Sequence, residues 1–72
     1  MLTGRVVWFS GPKSYGFIKP DDGSPDIFVH WTALRGMVGY KTLQAEQKVS
    51  FEIDPKGPKG KPQAAEVFVL ED

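Results

Sequence analysis

The sequence holds no cysteine, which removes disulfides, thiol chemistry and Cys-ligated zinc together. Its single histidine, His30, is too little for a protein zinc site of ordinary ligand count. There is no surplus of either charge: nine Lys and Arg face nine Asp and Glu. A basic tail or a membrane-coating peptide needs a large excess of one sign. Long apolar runs are missing as well. The longest are four residues, as in Val6-Val7-Trp8-Phe9, far short of the roughly 20 residues that cross a bilayer. No basic-then-apolar leader is visible at the start. The expectation is a cytoplasmic protein without membrane association, although a mature secreted chain would look the same. At 72 residues the expectation is also a single domain, residues 1–72.

Aromatic residues, by contrast, are plentiful. Nine rings stand at Trp8, Phe9, Tyr15, Phe17, Phe28, Trp31, Tyr40, Phe51 and Phe68. Eight Gly and six Pro punctuate the chain in clusters, and between them lie short stretches rich in Val, Ile, Phe, Tyr and Trp. This pattern predicts an all-β meander or barrel. Strands are expected at Leu2–Ser10, Ser14–Lys19, Asp26–Trp31, Gln47–Asp54 and Gln63–Leu70, with a helical turn at Thr32 to Leu34. Asp22-Gly23 supplies turn chemistry between the second and third strands. Pro55 to Pro62 carries Lys56, Lys59 and Lys61 without a carboxylate and reads as an extended, positively charged loop. Closure into a barrel removes the sheet edges that would otherwise aggregate.

Side chains alternate across a strand. In the second strand Tyr15, Phe17 and Lys19 share one face, and Gly16 and Ile18 the other. In the third, Asp26, Phe28 and His30 oppose Ile27 and Val29. Only one face can fill a small barrel. The aliphatic residues mark the inside, and the rings interleaved with Lys19 and Asp26 mark the wet side. In the fourth strand Val49, Phe51 and Ile53 alternate inward against Lys48, Ser50 and Glu52. In the fifth, Ala65, Val67 and Val69 are expected inside, with Ala64, Phe68 and Leu70 on the other face. Alternation would put Trp8 inside with Val6 unless a bulge intervenes, so pattern alone leaves Trp8 open.

An exposed row of rings suits single-stranded nucleic acid. Each base presents a flat π-face, and stacking it on an aromatic side chain is worth roughly 1–3 kcal/mol whatever the sequence. A duplex hides those faces. Lys13, Lys19 and the Lys56-Lys59-Lys61 loop stand ready for phosphates. Residues 1–20 hold Arg5, Lys13 and Lys19 and no acid, so charge is segregated despite the zero total.

The segment Lys13-Ser-Tyr-Gly-Phe-Ile18 resembles the first ribonucleoprotein motif of the cold-shock domain, and Asp26-Ile-Phe-Val-His-Trp31 resembles its second. Thr3-Gly-Arg-Val-Val-Trp-Phe9 is similar to the family's opening strand. Gly39-Tyr-Lys-Thr-Leu43, Gln47-Lys-Val-Ser-Phe51 and Pro62-Gln-Ala-Ala65 continue the match in order. The resemblance implies a five-stranded antiparallel Greek-key barrel of the OB-fold type. It implies sequence-tolerant binding of single-stranded RNA and DNA, and roles as an RNA chaperone and a regulator of transcription or translation. The stacking residues it implies are Trp8, Phe17, Phe28, His30, Trp31 and Tyr40, with Tyr15 and Phe9 at the margin and Lys13 as a basic contact. It also makes Trp8 an exposed residue. The chain departs from the family at Val7, where a Lys is usual, and at Ser14 and Glu46, where Gly is usual. Gly at such places often serves a positive φ.

Other functions have little to stand on. His30 lacks the partner and nucleophile that general-base catalysis requires, so no catalytic residue, metal, cofactor or small-molecule substrate is expected. Gly57 and Gly60 lack phosphate-loop spacing, so any unwinding would be ATP-independent. A hydrolase on the same barrel would need clustered carboxylates or a metal set. Asp21, Asp22 and Asp26 lie in or beside one turn, with no His at ligand spacing. A barrel that takes an extended Pro-rich peptide in its aromatic groove is the alternative, but Lys13 and Lys19 beside the rings favour nucleic acid. A monomer is expected, with a dimer left open.

Overall fold

The β-branched and aromatic stretches between the Gly and Pro clusters form five strands. They are β1 (Leu2–Ser10), β2 (Tyr15–Pro20), β3 (Ile27–His30), β4 (Lys48–Asp54) and β5 (Gln63–Val69), with a 3-10 turn at Trp31–Ala33 after β3. The computed structural model describes residues 1–36, 42–55 and 61–70. The strands close into a barrel in the order β1-β2-β3-β5-β4, and β1 also pairs with β4. The expected all-β, five-stranded closed barrel is therefore what forms. Pairing is antiparallel at β1–β2, β1–β4, β2–β3 and β4–β5, while β3 meets β5 in parallel with Phe28 opposite Gln63.

The aliphatic faces meet inside. Val6, Ile18, Ile27, Val29, Leu34, Leu43, Val49, Phe51, Ala64 and Val67 are buried in one cluster with Ala33. Full burial of a Val, Leu, Ile or Phe side chain contributes about 1.5–3 kcal/mol, so these contacts carry most of the fold.

Two extra residues re-aim the strands. Val6 pairs with Ile18, yet Trp8 pairs with Phe17, so β1 has one residue more than β2 at Val7. That bulge turns Trp8 outward while Val6 stays inside. In β5 the surplus falls at Glu66, with φ of 50°. The pairing passes from Ser50 opposite Phe68 to Glu52 opposite Ala65. The fifth-strand expectation is corrected accordingly: Ala64 is buried and Ala65 is only half-buried. The fourth strand also differs. Ser50 is buried and Ile53, expected inside, is 44% exposed.

The connections show why the family's glycines matter. Ser14 has φ of 62° and Glu46 φ of 71°, both in the left-handed region, as the substitution of Gly at these places suggested. Ser14 donates its amide to the Ser10 carbonyl at 2.6 Å, and its own carbonyl accepts from the Trp31 amide at 3.0 Å. The first turn is thus tied to the end of β3. Between β2 and β3, the Asp22 carboxylate accepts from the Ser24 amide at 2.9 Å, and Gly23 takes a φ of 85°. Hydrogen bonds from the Ser24 hydroxyl and amide hold the Asp22 carboxyl below its ordinary value.

Candidate nucleic-acid interface

The outward faces of β1, β2 and β3 carry rings at adjacent positions. Cross-strand pairing sets Trp8 opposite Phe17, Phe17 opposite Phe28, and Tyr15 opposite His30. Trp8 lies 5.6 Å from Tyr15 and 5.5 Å from Phe17, centroid to centroid. Phe28 lies 5.5 Å from Tyr15 and 5.9 Å from Phe17. Four rings therefore contact one another in a closed circuit. All four contacts are tilted or edge-to-face, and edge-to-face is an arrangement that aromatic quadrupoles favour. Tyr15, Phe17 and Phe28 are half-buried against one another, and Trp8 is 41% exposed.

His30 and Trp31 extend the circuit. Their ring centroids are 5.9 Å apart, and Trp31 is as exposed as Trp8. His30 caps the 3-10 turn: its Nδ1 accepts from the Thr32 amide at 3.4 Å and lies 3.0 Å from Thr32 Oγ1. With Nδ1 an acceptor, the neutral ring carries its proton on Nε2. A side chain that would be mobile on an open surface is held by the local backbone.

Beside these rings lies a groove of about 610 Å³, lined by Phe17, Phe28, His30, Thr32, Lys61, Pro62 and Gln63. The parallel contact of Phe28 with Gln63 brings the start of β5, and with it Lys61, against the β2–β3 face. One cation of the Lys-rich segment thus reaches the rings. Lys13 is exposed on the turn between β1 and β2, where its amide donates to Ser10 Oγ at 3.3 Å.

Of the site residues expected from the sequence, the structure brings together Trp8, Tyr15, Phe17, Phe28, His30, Trp31 and Lys61. Tyr40 and Lys59 lie outside the described residues. Phe9, expected at the margin of the platform, is half-buried and packs against the core. The reason is alternation after the bulge, which sends Phe9 inward once Trp8 points out. Gly16 makes the room, since Phe9 pairs with it. A Cβ at Gly16 would collide with the Trp8 carbonyl oxygen and lie 2.7 Å from Phe9 Cα. Sequence reasoning missed Thr32 and Gln63 as groove walls. Only the β3–β5 contact places Gln63 there, and no local pattern announces it.

Other chemistries find no support in this surface. Among the described residues no cluster of His, Asp and Glu could hold a metal ion, and no helix is long and apolar enough to cross a membrane.

Comparison with known proteins agrees with the geometry. Residues 2–70 match the family model described as the 'Cold-shock' DNA-binding domain. A cold shock-like protein of Thermotoga maritima is 53% identical over 70 residues, covering 97% of this chain and 100% of the relative. Cold shock-like protein CspG of Escherichia coli is 49% identical over 69 residues, covering 96% and 94%. The major cold shock protein of Micrococcus luteus is 51% identical over 70 residues, covering 97% and 100%. A closed five-stranded barrel that turns its rings outward, matched by its family along almost its whole length, belongs to the cold-shock domain family of nucleic-acid-binding, non-enzymatic proteins.

Proposed function

We propose that the protein binds single-stranded RNA and DNA with little sequence preference by stacking bases on its outer rings. The observation that carries this reading is the circuit of Trp8, Tyr15, Phe17 and Phe28 on the solvent side of a barrel whose aliphatic residues already fill the interior. Base–aromatic stacking tolerates any sequence, because every base has a π-face. His30 and Trp31 lengthen the stacking surface, and Tyr40 is a further stacking residue. The His30 Nε2 proton offers a hydrogen bond to a base edge or phosphate. Lys13, Lys59 and Lys61 neutralise phosphates.

Bound strands are kept open by mass action, since whatever binds only the unpaired state shifts the equilibrium toward it. The protein acts in this way as an ATP-independent RNA chaperone in the cytoplasm, and as a regulator of transcription or translation where the melted structure is a signal. One domain and one chain suffice for this activity.

The test is a titration of matched single- and double-stranded oligonucleotides, RNA and DNA, followed by tryptophan fluorescence. Trp8 and Trp31 are exposed, so stacking quenches them. Single strands at micromolar protein are expected to quench and duplexes of the same sequence to leave emission unchanged. Equal response to both, or to neither, would contradict the reading.

A further inference from the structure

The ring-bearing face of β2 does not end at Phe17. Lys19 follows on the same face and stands directly opposite Arg5 of β1, and Arg5 stands directly opposite Lys48 of β4. Three cations thus form one row across three adjacent strands, spanning about 10 Å at the usual strand spacing. Like charges directly opposite one another in a sheet are destabilising. A chain with as many acids as bases has the means to interleave them, yet none of the three is ion-paired among the described residues. Arg35 and Glu66 form such a pair elsewhere, at 3.3 Å. Arg5 and Lys19 are exposed and Lys48 is half-buried. The Arg5 guanidinium donates to the Glu46 carbonyl oxygen at 3.1 Å, which holds it in the row. On the side away from the rings Asp21 flanks the row, two residues past Lys19, its carboxylate accepting from the Thr3 hydroxyl at 2.8 Å.

We infer that Lys19, Arg5 and Lys48 form a phosphate track that leads the backbone of a single strand away from the ring cluster, across β1 and on to β4. This inference rests on the reading of the rings as a base-stacking surface. The row begins two residues beyond Phe17 on one strand face, so a strand whose bases stack on Tyr15 and Phe17 reaches it at Lys19 and from there follows it across the sheet. Phosphates in the row relieve the mutual repulsion of its cations. The track adds affinity without sequence preference, since phosphate contacts carry no base information. It also makes affinity depend on strand length: a strand too short to pass the rings never reaches it.

The test uses the full chain with two thymidine oligonucleotides, one that covers only the rings and one about twice as long, titrated over a range of NaCl concentrations. Each neutralised phosphate contributes about 0.7 to the slope of log affinity against log salt for a single strand. In Lys19→Gln/Lys48→Gln the slope for the long oligonucleotide is expected to fall in magnitude by about 1.4. The tryptophan quench persists, and the slope for the short oligonucleotide falls by less than that for the long one. Lys19→Gln alone, a change at an exposed position, gives about half that shift and serves if the double variant does not fold. An unchanged slope on the long oligonucleotide with the short one still bound would overturn the track and leave the ring reading standing. Failure of the parent to bind either oligonucleotide would overturn both.

Discussion

Trp8 faces Phe17 across the first two strands, with 5.5 Å between ring centroids, because β1 spends an additional residue at Val7. Without that residue, alternation would carry Trp8 to the side of Val6. Deletion of Val7 is therefore expected to slip the strand by one position, which exchanges the two faces. The loss of stability should be well above the roughly 0.5 kcal/mol of an ordinary surface change, with Trp emission shifted or the chain unfolded. Chemical denaturation with fluorescence detection checks this. A deletion variant as stable as its parent, with unchanged emission, would contradict it.

Gly16 answers to close approach rather than to backbone freedom. A Cβ there would meet the Trp8 carbonyl and Phe9, and both lie in a paired strand that cannot step aside. Gly16→Ala is expected to cost about 1–3 kcal/mol, as overpacking does. Gly23 has open space around it but a φ of 85°, so Gly23→Ala should cost about 1–2 kcal/mol for a different reason. Thermal unfolding of both variants measures the two costs.

Glu46 holds a left-handed conformation with a side chain that has a Cβ. Such a residue costs about 1–2 kcal/mol relative to its ordinary conformation, and glycine returns part of that as lost unfolded-state freedom, about 0.5–1 kcal/mol. Glu46→Gly should stabilise the protein by about 0.5–1 kcal/mol. Its backbone bonds to Val6 and from Arg5 are untouched. Ser14→Gly should gain less, because it forfeits the bond from Ser14 Oγ to the Gly11 carbonyl at 3.3 Å. Denaturant titration of the two variants ranks them. A loss at Glu46→Gly would contradict the account.

Asp22 gives the turn between β2 and β3 a pH dependence of definite sign. Its carboxyl is held below the ordinary value by the Ser24 hydroxyl and amide. A lowered folded pKa contributes stability that is fully present above the unfolded value and is lost as pH falls through the folded one. Asp22→Asn should therefore differ from the parent at neutral pH and converge with it in acid. Unfolding free energies followed from neutral to acid pH would reveal it; a gap that widens in acid has the wrong sign.

Much of this was written in local pattern. Ile18, Ile27 and Val29 against Tyr15, Phe17, Phe28 and His30 declare the inside and the outside, since each face is uniform over at least two residues on paired strands. The bulges were not so legible. Val7 and Glu66 break alternation by one residue each. A residue count along a strand cannot say where the surplus is spent, which is why Trp8 stayed open and Ala64 and Ala65 were exchanged. The groove wall at Pro62 and Gln63 depends on a β3–β5 contact between residues far apart in sequence. The positive φ at Ser14 and Glu46 was legible only through the resemblance, which says where glycine is usual.

The central claim is that the rings on β2 and β3 serve a ligand and not the core. Binding and unfolding free energies measured on the same Phe17→Ala and Phe28→Ala proteins test it most directly. Each variant is expected to lose about 1–3 kcal/mol of single-strand binding. Its stability should fall by clearly less than the roughly 3–5 kcal/mol of a buried Phe→Ala change. Variants that unfold, or that stay folded and bind single strands as tightly as the parent, would contradict the account.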